Sequence, residues 1–156
     1  MLYALKYPGS KQIIFRKTYP ELERSILRVM LSVYPRGRYN YNQTAHTFKF
    51  ENGSIIDCGY LQTETDVYNY QSAEYDVIRF DELTHFTEFI YTYMLSRLRG
   101  ANNFPKYMKS STNPTGAGRV WVKERFVDIG EWNVEHDVII GYRVDGSPII
   151  SRRIFI

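Results

Sequence analysis

Two adjacent acids, Asp81 and Glu82, follow a short apolar run and are the residues best suited to chemistry in this chain. Val77, Ile78 and Phe80 before them have the β-branched and aromatic character of a buried strand. Acids at the carboxyl end of a strand lie where open α/β sheets bind their ligands. In an ATP-hydrolysing enzyme the first acid can support Mg²⁺ and the second can orient the attacking water. The alternative is a surface strand end that carries two acids without a function.

A hydroxyl and an amide, Thr112 and Asn113, follow a later strand-like run at residues 106–111. Both groups can hydrogen-bond a phosphate oxygen or a water molecule without adding charge. Pro114 and Gly116 come next, and Asn-Pro and glycine are also turn formers. A plain turn is therefore the alternative to a binding function here.

Strand and helix patterns alternate along the chain around these residues. Asn52-Gly53 between two strand-like runs predicts a hairpin, and Pro20 followed by Glu21 and Glu23 favours a helix start. The alternation predicts an α/β layered sheet of mostly parallel strands, with the hairpin as an antiparallel insertion. The predicted strands are residues 12–16, 47–50, 54–57, 77–80, 106–111, 138–140 and 149–150, and the predicted helices are residues 1–7, 20–33, 87–100 and 119–126.

Size and composition indicate one globular domain. The chain has 156 residues, of which 44% are hydrophobic and 24% charged, and its formal charge is +3. That charge permits contact with a polyanion but does not argue for one. No apolar run approaches the roughly 18 residues needed to cross a bilayer. Cys58 is the only cysteine, so no intrachain disulfide can form and a reducing cytoplasm fits.

Aromatic residues are plentiful, with 14 Tyr, 9 Phe and 2 Trp. Residues 34–41 (YPRGRYNY) mix tyrosine with arginine, which could stack bases and contact phosphates. Their Pro, Gly and Asn content favours the alternative, an exposed turn-forming loop. The three histidines are widely spaced and lack cysteine companions, which argues against a zinc site. Cys58 has no evident activating partner and is interpreted as a small buried hydrophobe.

Three blocks together resemble the large terminase subunit of tailed bacteriophages, the motor that packages DNA. They are residues 14–22 (IFRKTYPEL), residues 74–86 (EYDVIRFDELTHF), and residues 111–126, which open with STNPTG and end with WVKERF. Each block alone is weak to moderate support, whereas their order and spacing are specific. The resemblance spans most of the chain.

The resemblance implies a P-loop NTPase-like ATPase domain with additional-strand topology. Asp81 would be the Mg²⁺-supporting acid of Walker B, and Glu82 the catalytic glutamate. Thr112 and Asn113 would be the coupling motif that senses the γ-phosphate. The implied cofactors are ATP and Mg²⁺. The implied partners are double-stranded DNA, a small terminase subunit and a portal protein, with a homo-oligomeric ring in the cytoplasm of a bacterial host cell and no membrane association.

The family's phosphate-binding loop, Gly-x-x-x-x-Gly-Lys-Ser/Thr, does not occur in residues 1–156. The nearest fragment, Gly9-Ser10-Lys11, lacks the first glycine and precedes a predicted strand instead of a helix. In similar proteins the loop lies upstream of residues 14–22. We therefore expect a single partial domain, truncated at both ends, that lacks its first strand and the family's nuclease domain. Such a chain would hydrolyse ATP negligibly by itself.

Several relatives place an arginine finger shortly before the Walker B strand, where this chain has Gln71. Arg79, Arg97 and Arg99 are other candidates. Arg97 and Arg99 lie near a predicted helix end, where the helix dipole favours a cation in any case. The finger is therefore unassigned.

Arg16 and Lys17, at the end of another predicted strand, are candidates for the nucleotide side of the site. A solvated strand terminus is the equal alternative. Two other functions compete with the motor ATPase. One is a helicase-like ATPase, which residues 16–22 and 121–126 disfavour. The other is a prophage remnant or a DNA- or subunit-contacting module without catalysis.

Overall fold

The computed structural model describes all of residues 1–156, and six of its strands form one sheet. Across the sheet the order is β2-β3-β4-β1-β5-β6. The strands β4, β1, β5 and β6 run parallel, whereas β3 is antiparallel to β4 and β2 is antiparallel to β3. The bounds are β1 Lys11–Arg16, β2 Tyr39–Asn42, β3 Thr47–Phe50, β4 Ile55–Tyr60, β5 Val77–Asp81 and β6 Tyr107–Ser111.

This sheet confirms the predicted α/β class, with mostly parallel strands and an antiparallel hairpin at Asn52-Gly53. Gly53 has φ +81°, a left-handed conformation that glycine adopts without steric cost. The sheet is continuous from β2 to β6, so its unpaired edges are its two outer strands. No gap interrupts its centre.

The prediction that residues 34–41 form a loop is wrong in its second half, because Tyr39–Asn42 is a strand. Its residues alternate between partly buried and exposed positions. The rings of Tyr39 and Tyr41 lie 5.2 Å and 4.6 Å from the ring of Phe48. Turn residues concealed this two-residue period, and both tyrosine rings are partly buried against the apolar cluster of β3 and β4.

Helices cover both faces of the sheet. Thr18 begins the first long helix with a capping box, in which its hydroxyl accepts from the Glu21 amide and the Glu21 carboxylate accepts from the Thr18 amide. The helices are α1 Leu2–Lys6, α2 Tyr19–Glu21 continuing through a π-helical turn Leu22–Leu27 into α3 Arg28–Val33, a 3₁₀ helix Glu64–Tyr70, α4 Glu88–Leu95, and α5 Arg119–Val122 continuing into a π-helical turn Lys123–Val127.

The helix predicted over residues 87–100 ends earlier, at Leu95. Beyond it the Ser96 and Arg97 amides bond to carbonyls three residues back, at 3.1 Å and 2.9 Å. The Arg97 carbonyl then accepts from the Tyr75 amide at 2.9 Å. This contact ties the segment to the chain that enters β5, so the helix cannot continue.

Two apolar clusters lie on opposite faces of the sheet. One gathers residues of β1 and β5, such as Phe15 and Phe80, with Ile90 and Met94 of α4. The other gathers β3 and β4 with residues of the long helix. Because both faces are covered, the central strand β1 places Ile13 and Phe15 in one cluster and Ile14 against the other.

A second sheet contains only β7, His136–Tyr142, and β8, Pro148–Arg153, both longer than predicted. The Arg153 guanidinium donates to the Arg125 carbonyl at 3.1 Å and so contacts the end of the last helix. Ile139 and Tyr142 are more than half exposed. No helix in the molecule has both the length and the apolar character needed to cross a membrane.

Candidate functional site

The parallel strands β1, β5 and β6 bring their carboxyl ends to one edge of the sheet. Phe15 is level with Phe80, and Asp81 is level with Ser111. The residues that follow these strands therefore meet at the same edge. Sequence reasoning predicted this meeting for the acid pair and the threonine–asparagine turn, and the structure brings the two together.

Both carboxylate oxygens of Asp81 have partners. Arg16 Nε lies 2.8 Å from Asp81 Oδ2, and the Ser111 hydroxyl donates to Asp81 Oδ1 at 2.6 Å. Arg16 Nε also lies 3.1 Å from the Ser25 hydroxyl oxygen in the π-helical turn. The guanidinium thus neutralises the acid at the strand end and links it to the long helix.

Glu82 leaves the strand in a left-handed conformation, with φ 59° and ψ 62°. Such a conformation costs a residue other than glycine about 1 kcal/mol. It turns the side chain towards β6, where the Asn113 side-chain amide donates to Glu82 Oε1 at 3.2 Å and the Asn113 backbone amide donates to Oε2 at 3.3 Å. Asn113 therefore holds the carboxylate with two neutral donors.

Thr112 points inward from the same turn. Its hydroxyl oxygen lies 2.8 Å from the Thr84 hydroxyl oxygen and accepts from the Thr84 amide at 3.1 Å. Thr84 is 1% exposed and sits two residues after the catalytic-glutamate candidate. Thr112 and Asn113 are thus neighbours in sequence but face different partners.

The remaining basic candidates lie beside other groups. Lys17 Nζ lies 5.9 Å from the ring centroid of Phe86. Arg79 donates from Nη1 to Gln12 Oε1 at 2.9 Å, and burial lowers the pKa of its guanidinium. Its hydrogen bond goes to a neutral amide on the neighbouring strand, not to the acid pair.

Arg97 and Arg99 contact the segment in which the arginine finger was sought. Arg97 donates to the Gln71 carbonyl, and Arg99 Nε lies 3.6 Å from Glu74 Oε1. These contacts give both arginines a structural role, and the arginine finger stays unassigned.

Cys58 is 5% exposed and packs 3.8 Å from the Met30 sulfur. Burial raises the pKa of its thiol to about 12, so the thiolate that a nucleophile requires is suppressed. No group of three or more His, Cys, Asp or Glu side chains is clustered as a metal site. The acid edge is consequently the place where chemistry is best supported.

Sequence reasoning missed three residues at this edge, namely Ser25, Thr84 and Ser111. Ser111 could have been found, because parallel register sets the end of one strand beside the end of the next. Thr84 carried no comparable signal, since its partners Thr112 and Asn113 come from a distant segment. Ser25 lies close in sequence to its partner Arg16, but no pattern pointed to that contact.

The fold and this edge define a class of protein: an α/β sheet whose polar residues gather at the carboxyl ends of parallel strands, where such sheets bind ligands. Within that class, residues 1–130 match the family described as terminase large subunit, T4likevirus-type, N-terminal. The chain belongs to this family, which confirms the resemblance and implies a role in phage DNA packaging. No curated protein and no solved structure matches the chain significantly.

Proposed function

We propose that this chain supplies the acid and coupling groups of a viral packaging motor that uses ATP hydrolysis to move double-stranded DNA into a procapsid. The observation that carries the proposal is the pair of hydrogen bonds from Asn113 to Glu82 at the carboxyl edge. A direct hydrogen bond lets a group that senses phosphate act on the group that positions the attacking water. The family, whose large subunits are generally ATPases, agrees with this reading.

Asp81 fits a magnesium role by its donor set. Mg²⁺ prefers hard oxygen ligands and is commonly held by one or two carboxylates together with substrate phosphates and water. The Asp81 carboxylate and the Ser111 hydroxyl provide such oxygens side by side. Bound Mg²⁺ would neutralise developing phosphate charge, and Arg16 holds the carboxylate in place until then.

Glu82 fits the role of the group that aligns the attacking water. A carboxylate within hydrogen-bond reach of the water can orient it or accept its proton. Asn113 orients this carboxylate through two uncharged donors and adds no charge to the site. We propose Arg16 and Lys17 as residues on the phosphate side of this edge.

We propose that residues 1–156 by themselves hydrolyse ATP negligibly. In P-loop enzymes, backbone amides and the lysine of the glycine-rich loop cradle the phosphates, and residues 1–156 contain no such sequence. Gly9-Ser10-Lys11 leads directly into β1, whose first residue is Lys11. The strand β6 is paired on one side only, and a further parallel strand that carries the loop could add at this open edge.

The reading frame immediately upstream of Met1 tests this proposal. An in-frame glycine-rich loop ending in Gly-Lys-Ser or Gly-Lys-Thr supports the motor, and stop codons there favour a remnant without catalysis. If such a loop is present, we expect Mg²⁺-dependent phosphate release from the extended chain, which is residues 1–156 together with the upstream loop. We expect negligible release from residues 1–156 alone. Robust release from residues 1–156 alone would contradict the proposal.

A matched pair of variants tests the role of the acid in the extended chain. Glu82→Gln should lower kcat by about 100- to 10,000-fold, as removal of a group that transfers or orients a proton does. Glu88→Gln is the control, because Glu88 is an exposed acid whose carboxylate pairs with Arg125 at 2.9 Å, away from the acid pair. Equal effects of the two substitutions would remove Glu82 from the mechanism.

The partners follow from the same proposal: double-stranded DNA, a small terminase subunit, a portal protein and further copies of the motor in a ring, in the cytoplasm of a bacterial host. The alternative of a base-stacking DNA module loses support, because the tyrosines of residues 34–41 are partly buried and pack against the apolar cluster of β3 and β4. A helicase-like ATPase would share the acid pair and would be distinguished by strand separation in place of packaging.

A further inference from the structure

Thr84 is a buried polar residue that belongs to neither the acid pair nor the coupling motif, so no function has yet been given to it. Its side chain lies between the segment that follows β5 and the turn that follows β6. The Thr84 hydroxyl is 2.8 Å from the Thr112 hydroxyl and 3.2 Å from the Asn113 carbonyl oxygen. The Thr112 hydroxyl is itself 3.1 Å from that carbonyl oxygen.

The two threonine hydroxyls and the Asn113 carbonyl form a closed network, in which every hydroxyl proton has an acceptor among these three groups. The two hydroxyls have two protons, and each can go either to the other hydroxyl or to the Asn113 carbonyl. If Thr84 donates to the carbonyl, Thr112 donates to Thr84; if Thr84 donates to Thr112, Thr112 donates to the carbonyl. In both arrangements each proton is used within the network.

The closed network separates the roles of the two turn residues. Because the Thr112 hydroxyl proton is committed to an internal partner, this hydroxyl does not reach towards Glu82. Asn113 is the residue that faces the carboxylate, while Thr112 fastens the turn to Thr84. A movement of Asn113 must therefore strain or carry Thr84.

The backbone of Thr84 extends the connection to a third element. Its carbonyl accepts from the Gly118 amide at 2.7 Å, immediately before α5. A Cβ atom on Gly116 would lie 2.8 Å from this carbonyl oxygen, and one on Gly118 would lie 2.9 Å from it. Only glycine permits so close an approach at both positions, so the contact is tight and has little room to adjust.

We propose that Thr84 is a positioning residue that links Asn113 to the start of α5. A displacement of Asn113 by a phosphate reaches Glu82 directly through the hydrogen bonds between them, and Thr84 transmits it to the helix as well. This inference rests on the proposed function for its biological meaning. Its physical content does not depend on ATP turnover: the Thr84 hydroxyl holds the turn and the Thr84 carbonyl holds the start of α5.

The test uses residues 1–156 without nucleotide. Amide exchange and resonance positions are measured by NMR for the wild type, Thr84→Val and Thr84→Ser, each with and without Asn113→Ala. In the wild type and in Thr84→Ser we expect Asn113→Ala to shift the amide resonances of Gly118 and Val120. In Thr84→Val that response should be lost, because the hydroxyl that holds Thr112 and the Asn113 carbonyl is gone. The Thr84 carbonyl that accepts from the Gly118 amide is then held less firmly, so exchange at that amide should speed up about five- to tenfold.

Thr47→Val is the matched control, because Thr47 donates to Asp57 at 2.8 Å in a different part of the sheet. It should leave the response of Gly118 to Asn113→Ala intact. Thr112→Val provides a second route if Thr84→Val fails to fold, since it breaks the same network from a half-buried position and should abolish the same response.

An undiminished response in both Thr84→Val and Thr112→Val would overturn the inference, as would an equal loss in Thr47→Val. The result is separable from the proposed function. A chain that never hydrolyses ATP can still show the transmission, and an active motor can lack it.

Discussion

At the scale of single residues, the two adjacent acids differ in their partners. Asp81 is neutralised by a guanidinium at 2.8 Å, whereas Glu82 is held by neutral amide donors at 3.2 Å and 3.3 Å. Environments that separate two neighbouring carboxylates commonly separate their roles. This contrast supports a cation-binding function for the first acid and a water-aligning function for the second.

Asp57 gives a prediction about pH and stability. Burial raises the pKa of its carboxyl above the ordinary value of 3.8, against opposing hydrogen bonds from Thr47 and Tyr75. Because the folded pKa exceeds the unfolded one, the stability that Asp57 contributes is fully present below 3.8 and is lost as the pH rises through the folded pKa. Asp57→Asn should remove this loss.

Urea unfolding of the wild type and Asp57→Asn at about pH 4 and about pH 7 measures the effect. The free energy of unfolding of the variant should increase relative to that of the wild type as the pH rises. Asp137→Asn is the control of opposite sign, since hydrogen bonding to Arg152 lowers the pKa of the exposed Asp137. A difference between Asp57→Asn and the wild type that does not change with pH would refute the assignment.

At the scale of elements, sequence patterns identified the strands that hold the site. β5 is an apolar run that ends in an acid, and β6 is a strand-like run (YMKSS) that leads into Thr112 and Asn113. Parallel pairing then placed the acids and the amide together. The strand at Tyr39–Asn42 was missed because proline, glycine and asparagine around it signal a turn, while its burial depends on Phe48. The contacts of Thr84 and Arg16 could not be predicted, since they join segments without any local pattern.

The segment that follows the acid pair packs closely against the start of α5, and this predicts a strict requirement for glycine at position 118. A Cβ atom there would lie 2.5 Å from both the Phe86 carbonyl oxygen and Trp121 Nε1, which are hydrogen-bonded to each other at 3.0 Å. Gly118→Ala should therefore lower the free energy of unfolding by about 2 to 4 kcal/mol, through overpacking and a lost hydrogen bond.

Gly141→Ala is the matched control, because the nearest atom to a Cβ at that position is 3.9 Å away. Its free energy of unfolding should change by less than about 1 kcal/mol. Denaturant unfolding of both variants checks the prediction, and equal destabilisation would show that the close approach is not responsible.

At the scale of the whole molecule, the chain consists of a six-stranded sheet with helices on both faces and a separate hairpin of two strands. The family match ends at residue 130, before the hairpin begins. An isolated two-stranded hairpin is marginally stable in water. The hairpin is therefore expected to depend on the rest of the molecule more than the rest depends on it.

Removal of residues 131–156 should leave the six-stranded sheet folded. The Arg153 contact to the Arg125 carbonyl would be lost, at a cost of about 1 kcal/mol in the free energy of unfolding. Circular dichroism and urea unfolding of residues 1–130 measure this, with Arg153→Ala in the full chain as the comparison. Failure of residues 1–130 to fold, while Arg153→Ala folds normally, would assign the hairpin a larger structural role.

The left-handed backbone conformation at Glu82 creates a conflict between thermostability and function at one position. Glycine at this position would relieve the torsional cost and would also delete the carboxylate. Mutants enriched for heat resistance alone would therefore drift towards glycine and lose the acid. A selection for stable variants that retain function must therefore measure activity as well as melting temperature.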